Sequence, residues 1–181
     1  DLRIEFLRQQ GKAYMRINKS EVITWPLNQL HRLKGELFMQ ILNVIHEKIE
    51  GEWMGVINAA SVSSGKKAVM FPAQSGGGKS TLASLLMATG CQLLSDDFSP
   101  IALKNGHIHA FPGNISLKPG SIPILSSHFP ELIHAEERIS PLKKGSVKYL
   151  KPRQPETISN RGFAPSAIVF VQYDKQQACE L

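Results

Sequence analysis

Lys67-Ala68-Val69-Met70-Phe71-Pro72-Ala73-Gln74-Ser75-Gly76-Gly77-Gly78-Lys79-Ser80-Thr81-Leu82 is the stretch on which the reading of this chain turns. Residues 67–71 predict a short apolar strand, ended by Pro72. Residues 79–89 predict an amphipathic helix in which Leu82, Leu85, Leu86 and Thr89 share a face, with Gly90 as its stop. The loop between them, 73–80, follows the phosphate-loop pattern G-x-x-x-x-G-K-[ST], except that Ala73 replaces the first glycine. A phosphate chain needs several backbone N–H groups aimed into one small space. Glycines permit that approach because they lack a Cβ and accept positive φ. The following helix adds its unpaired N–H groups and the positive end of its dipole. Lys79 supplies a mobile charge for the β and γ phosphates, Ser80 a hydroxyl for Mg²⁺, and Thr81 a hydroxyl within reach of the α phosphate. The candidate nucleotide-binding residues are therefore Ala73, Gln74, Ser75, Gly76, Gly77, Gly78, Lys79, Ser80 and Thr81. The competing reading is a glycine-rich turn that merely caps a helix.

Outward from the helix, 91–95 predicts a second short strand that ends at Asp96-Asp97. Strand, loop, helix and strand within one βαβ unit place this acidic pair at the C-terminal end of a strand, where α/β sheets bind ligands. One carboxylate there can hold magnesium, directly or through water. A second can take a proton from an attacking hydroxyl. Asp96, Asp97 and Lys79 are the candidate catalytic residues, and Ser80 and Asp96 the candidate metal ligands.

The rest of the chain supplies a frame. Residues 1–8 and 13–17 predict antiparallel strands around a turn at Gln9-Gln10-Gly11, with a third short strand at 22–25. Leu33, Leu37, Ile41, Ile45 and Ile49 recur every four residues, with Phe38, Leu42 and Val44 widening the stripe. They predict a core-facing helix that Asn28 caps. Residues 56–63 form an apolar, small-residue run before a turn at Gly65-Lys66. Residues 98–103 and 107–111 predict a hairpin around Asn105-Gly106. Strands at 115–117, 147–150 and 167–173 are expected, with an irregular or helical stretch at 121–134. His107 and His109 share a strand face, but no third ligand accompanies them, so a surface pair is expected rather than zinc. Lys118 and Lys144 are secondary candidates for phosphate or substrate contact, each set against the plainer reading of a solvated lysine.

Composition sets the bounds. With 42% hydrophobic and 20% charged residues in 181, the chain is globular and long enough for one domain with its own core. The net charge of +6 is spread along the sequence, so nucleic acid is not an expected partner. Two cysteines, Cys91 and Cys179, make neither a disulfide framework nor a metal spacing, which points to a reduced, cytoplasmic setting. No apolar run approaches the roughly 20 residues of a membrane span.

Phe71 to Leu82 together with Leu93-Leu94-Ser95-Asp96-Asp97 resembles the catalytic core of HPr kinase/phosphorylase, and is most similar to the bacterial HPr-kinase-related kinases. Ile57-Asn58-Ala59-Ala60-Ser61-Val62, Ile115-Ser116-Leu117-Lys118 and Lys144-Gly145-Ser146-Val147 also look like segments of that group, so the resemblance spans about residues 53–173. It implies an α/β fold of the phosphoenolpyruvate carboxykinase-like kind, a phosphate-loop mixed sheet flanked by helices with an N-terminal strand-rich segment. One kinase-like domain over 1–181 is expected, with strands and helix in 1–50 and the nucleotide-binding core in 51–181. The resemblance implies ATP and Mg²⁺ as cofactors and a serine-kinase-like phosphoryl transfer to a hydroxyl of a protein or small molecule. An ATP-binding regulatory module or an ATPase is the alternative. The expected partners are a nucleotide and that acceptor, with a homo-oligomer allowed. By resemblance Asp97 takes the general-base role and Asp96 lies nearer magnesium. Asn58 stands where the family often has histidine, which removes any titrating role there. The related kinases also continue beyond the last strand expected here, so truncation at the C-terminus is expected.

Overall fold

The computed structural model describes residues 3–18, 22–111, 113–139, 145–153, 161–174 and 176. The chain divides into two compact units, Asp1–Glu50 and Gly51–Leu181.

In the first unit, β1 (Ile4–Gln9) and β2 (Lys12–Ile17) pair antiparallel, and β3 (Ile23–Pro26) pairs with β2. Gln10 and Gly11 both take positive φ, 49° and 73°, the geometry that a two-residue hairpin turn requires. The helix α1 (Leu30–His46) follows a short 3₁₀ turn, Leu27–Gln29. Asn28 sits inside that turn, so it does not cap α1; Gln29 occupies the cap position without a side-chain bond. The helix ends where Glu47 turns left-handed and donates its N–H to the Asn43 and Val44 carbonyls. Ile49 therefore falls beyond the helix and is 70% exposed. The fully buried positions of α1 are Leu42 and His46, while Val44 faces solvent.

The second unit is mixed α/β. The run 56–63 is not one strand. It breaks at Asn58 into β4 (Trp53–Ile57) and β5 (Ala59–Ser64), which join different sheets. β5 forms a hairpin with β6 (Lys67–Pro72) across Gly65. After the glycine-rich loop come α2 (Lys79–Ala88), β7 (Gln92–Ser95) and β8 (Ser99–Ala102). β9 (Ile115–Leu117), α3 (Ile122–Leu125), α4 (Glu131–His134), β10 (Arg138–Ile139), β11 (Ser146–Leu150) and β12 (Ala164–Ile168) complete the unit.

The central sheet has the order β12-β6-β5-β7. β12 runs parallel to β6, whereas β5 runs antiparallel to both β6 and β7. β6 and β7 thus point the same way with β5 between them, and α2 carries the chain past β5. The expected βαβ unit exists, but as a split one. Its middle strand explains the texture of Ala59-Ala60-Ser61-Val62-Ser63, all buried. Covered on both faces, it shows no polar alternation and takes small side chains. Ala59 packs with Ala68, Met70 and Leu94 on one face; Ala60 and Val62 pack with Phe71 and Ala83 on the other.

α2 is covered on two sides. Ala83, Leu82 and Leu86 meet the sheet, while Met87 and Leu85 meet a second cluster of Ile115, Leu117, Leu125, Phe129, Leu132 and Leu150. Its buried positions beyond Lys79 are therefore Ala83, Ser84 and Met87, and Thr89 of the expected stripe is exposed. The Ser84 hydroxyl is satisfied by donating to the Ser80 carbonyl at 2.8 Å. The arms around Asn105-Gly106 meet through a bridge between Ile101 and Ile108, but only the first arm is a regular strand. The last strand begins earlier than expected, at Ala164, and beyond Ile168 the backbone still bonds β6: Val169 N–H reaches the Met70 carbonyl at 2.9 Å and Val171 N–H the Pro72 carbonyl at 3.2 Å. No helix among the described residues is long and apolar enough to cross a membrane.

Candidate functional site

β6 delivers the chain at Pro72 into the glycine-rich loop, and α2 takes it away at Lys79. Gly76 and Gly78 take φ of 96° and 94°, values that an L side chain resists. Gly77 is required for a different reason. A Cβ there would lie 3.0 Å from the Ala73 Cβ, 3.1 Å from the Val171 carbonyl oxygen and 3.2 Å from the Gln74 carbonyl oxygen. The Ala73 methyl thus occupies space that Gly77 leaves open, and Ala73 itself does not take positive φ. The substitution of the first glycine is accommodated by the fifth residue of the loop. A Gly77→Ala variant should push the loop off its neighbours at a cost of about 1–3 kcal/mol. A lowered melting temperature together with weakened phosphate binding is the expected pair of results. Unchanged melting and binding would show that the crowding is relieved without consequence.

Lys79 opens α2 and is buried, with its Nζ 2.6 Å from Asp97 Oδ1. Asp97 takes a left-handed φ of 67°, which Asp and Asn tolerate better than other side chains. Two consecutive carboxylates thereby turn to different partners. Asp97 meets the lysine, while Asp96 accepts a hydrogen bond from Ser80 Oγ at 2.8 Å and one from the Ser116 N–H at 3.3 Å.

The turn carrying both acids is held from beneath by hydroxyls. Ser95 at the end of β7 and Ser99 at the start of β8 lie 2.7 Å apart, Ser61 of β5 lies 2.7 Å from Ser95, and Ser99 donates to the Ala59 carbonyl at 2.8 Å. All three serines are buried. Isolated serines in short strands carry no pattern, so this support was not visible before the strands were paired.

The Asp96 carboxyl is raised from 3.8 to about 6, first by burial and then by the charge of Asp97; Ser80, the Ser116 N–H and Lys79 pull it the other way. A carboxyl raised in the folded state adds stability below its unfolded value, and that contribution is lost as pH rises through about 6. In the metal-free protein Asp96→Asn should therefore be stabilising at pH 7.5. The gain is ~1–2 kcal/mol once the Ser116 N–H, left facing an amide, is counted. It should shrink toward pH 4. Denaturant unfolding across that range checks it, and a less stable variant at pH 7.5 would contradict it.

These groups border one cleft. Ser75, Gly76, Gly78, Lys79, Ser80, Thr81 and Asp97 line it from the loop side, and Ser116, Lys118, Ser121 and Val147 from the other. Thr81 Oγ1 lies 2.7 Å from Ser121 Oγ, and Lys118 Nζ donates to Ser75 Oγ at 3.4 Å. Comparison with protein-family models, curated proteins and solved structures returned no match.

Of the residues singled out from the sequence, Ser75, Gly76, Gly78, Lys79, Ser80, Thr81 and Asp97 meet in the cleft. Asp96 joins them through Ser80, and Gly77, Ala73 and Gln74 shape the loop's back. Lys118, a secondary candidate, is also there. Lys144 lies outside the described residues, as do Cys179 and the rest of the segment 140–144. Asn58 is exposed at the β4–β5 junction and does not border the cleft. His107 and His109 do share a face, both lying over Gly162, but the expected surface pair is not found, because His109 is buried against the Trp53 ring. Among the described residues no group of three or more His, Cys, Asp or Glu is placed to hold a metal ion. Cys91 is a free thiol against the Ala60–Val62 cluster. Ser116, Ser121 and Val147 were not anticipated as lining residues, because each reaches the cleft from a distant part of the chain.

The donor set suits a hard divalent cation. Ser80 Oγ and Asp96 Oδ1 are adjacent oxygens at 2.8 Å. Mg²⁺ commonly takes one or two protein oxygens and completes its shell with waters and phosphates, so a three-carboxylate cage is not required.

Proposed function

We propose that the cleft binds the phosphates of ATP with Mg²⁺ and passes the terminal phosphoryl group to an acceptor hydroxyl, in an HPr-kinase-like α/β core working in the cytoplasm. The observation that carries this reading is the 2.6 Å pairing of Lys79 with Asp97 at the mouth of a glycine-rich loop. A loop alone accounts for phosphate binding. A carboxylate held at the same lysine adds a group able to take a proton beside the terminal phosphate.

The loop N–H groups and the first turn of α2, which no side chain caps, receive the phosphate oxygens. The cleft encloses about 80 Å³, against ~300–1,000 Å³ for a site that engulfs a drug-sized ligand; it has room for phosphates, with sugar and base outside. Ser80 and Asp96 are the residues that would hold Mg²⁺, which when bound neutralises charge on the phosphates. Lys79 leaves Asp97 for the β and γ phosphates. Asp97 then accepts the acceptor's hydroxyl proton while the acceptor oxygen bonds to the γ phosphorus and the bond to the bridging oxygen breaks. ADP departs, and Asp97 returns its proton to solvent. Positioning and charge neutralisation supply most of the rate, since phosphoryl transfer asks for little covalent chemistry.

A binding module or ATPase is the second reading, favoured by Asn58, an amide that cannot titrate where the resembled family often has histidine. Incubation with γ-labelled ATP and cell extract separates the readings. Label on a protein or small molecule supports the kinase. Label released only as phosphate supports the ATPase, and retention without turnover supports the module.

A further inference from the structure

We propose that Lys118 is a clamp for the terminal phosphate of a nucleoside triphosphate, through which the cleft distinguishes a triphosphate from a diphosphate; this rests on the reading of the cleft as a nucleotide site. The pattern that places it is an alternation in β9 and the residue after it. Ile115 and Leu117 are fully buried in the core cluster. Ser116 and Lys118 point to the opposite side, as successive residues of a strand must. Ser116 gives its N–H to Asp96, and Lys118, two residues on, reaches Ser75. One edge of one strand thus faces the acidic turn with its first polar residue and the glycine loop with its second.

The two lysines of the cleft differ in their partners. Lys79 is paired with Asp97. Among the described residues Lys118 makes no ion pair; its Nζ rests 3.4 Å from Ser75 Oγ and would lie 3.6 Å from a Cβ on Gly76. Among the described residues it is therefore a cation over the loop with a neutral neighbour and no carboxylate paired to it, the arrangement that an anion completes.

Position along the loop sets which phosphate it meets. Thr81 stands in the first turn of α2 and is bonded to Ser121. Ser75 and Gly76 stand earlier in the loop, where Lys118 reaches it. A phosphate chain laid from the start of α2 along the loop brings its last member under Lys118, while a chain one phosphate shorter stops at Lys79. Lys118 also faces the oxygens that gather charge during transfer, where a fixed cation has its greatest effect.

The test measures affinities of ADP and a non-hydrolysable ATP analogue, each with Mg²⁺, for the whole chain and for Lys118→Ala, Lys118→Met and Lys118→Arg. The wild type should prefer the triphosphate. Lys118→Ala should weaken the triphosphate about tenfold or more, as expected for one charge-assisted bond, and leave ADP within about twofold. Lys118→Arg should restore most of the loss; Lys118→Met keeps the aliphatic stem if the alanine variant folds poorly. Equal weakening of both nucleotides, or none, in a wild type that binds nucleotide overturns the clamp alone. A wild type that binds neither nucleotide overturns the nucleotide reading and the clamp with it.

Discussion

Lys79→Ala should abolish phosphoryl transfer and weaken nucleotide binding by ~10²-fold or more, on the scale of losing a charge-assisted contact that also stabilises the transferring group. Two effects act in the same direction. The variant loses the buried ammonium that opens α2. It also leaves the Asp97 carboxylate in place, without the Lys79 ammonium beside it, at the point where phosphates must enter. Folding should suffer much less, because the Asp97 side chain is 33% exposed and can be rehydrated when its partner goes. Calorimetric titration with MgATP, with thermal unfolding alongside, checks both halves. Normal binding by a folded Lys79→Ala protein would remove Lys79 from the site.

Asp97→Asn should act in opposite senses on the two readouts. Transfer should fall by ~10²–10⁴-fold, the usual worth of a positioned general base. Nucleotide binding should be retained and should tighten, because Lys79 no longer has to leave a carboxylate at 2.6 Å before it can meet a phosphate. The substitution is a clean one for the backbone, since asparagine also accepts the left-handed φ of 67° found at this position. Two members of one ion pair would then shift affinity in opposite directions, a signature that a purely structural pair does not produce. Transfer at the normal rate in Asp97→Asn would rule out Asp97 as the base.

The loop, α2 and the acidic pair were legible in the sequence because each rests on local chemistry. Glycines permit positive φ, Lys79 and Ser80 open a helix, and Asp96-Asp97 ends an apolar strand. Less legible was whatever depends on pairing between distant segments. The break at Asn58 lies inside an apolar run with no periodicity, so nothing marked that β4 and β5 part to different sheets. The passage of α2 past β5 was hidden for the same reason, and with it the burial of Ala83 and Met87 on two sides of the helix. Asn28 resembled a cap by residue type, yet a 3₁₀ turn moved the cap to Gln29 and the start of α1 one residue along. In the site, Lys118 was a secondary candidate, set against the plainer reading of a solvated lysine, until β9 was placed opposite the loop. The Ser61–Ser95–Ser99 support consists of residues that are ordinary wherever they occur singly. The opposite case is Ala73, a departure from the expected pattern that the structure explains by the space beside Gly77.

The most direct test is calorimetric titration of the whole chain with ATP in the presence and absence of Mg²⁺. Saturable one-to-one binding that weakens without Mg²⁺, and that is lost in Lys79→Ala, is the predicted result. Absence of binding, or binding that Lys79→Ala leaves unchanged, would contradict a nucleotide site built on the loop at 73–80.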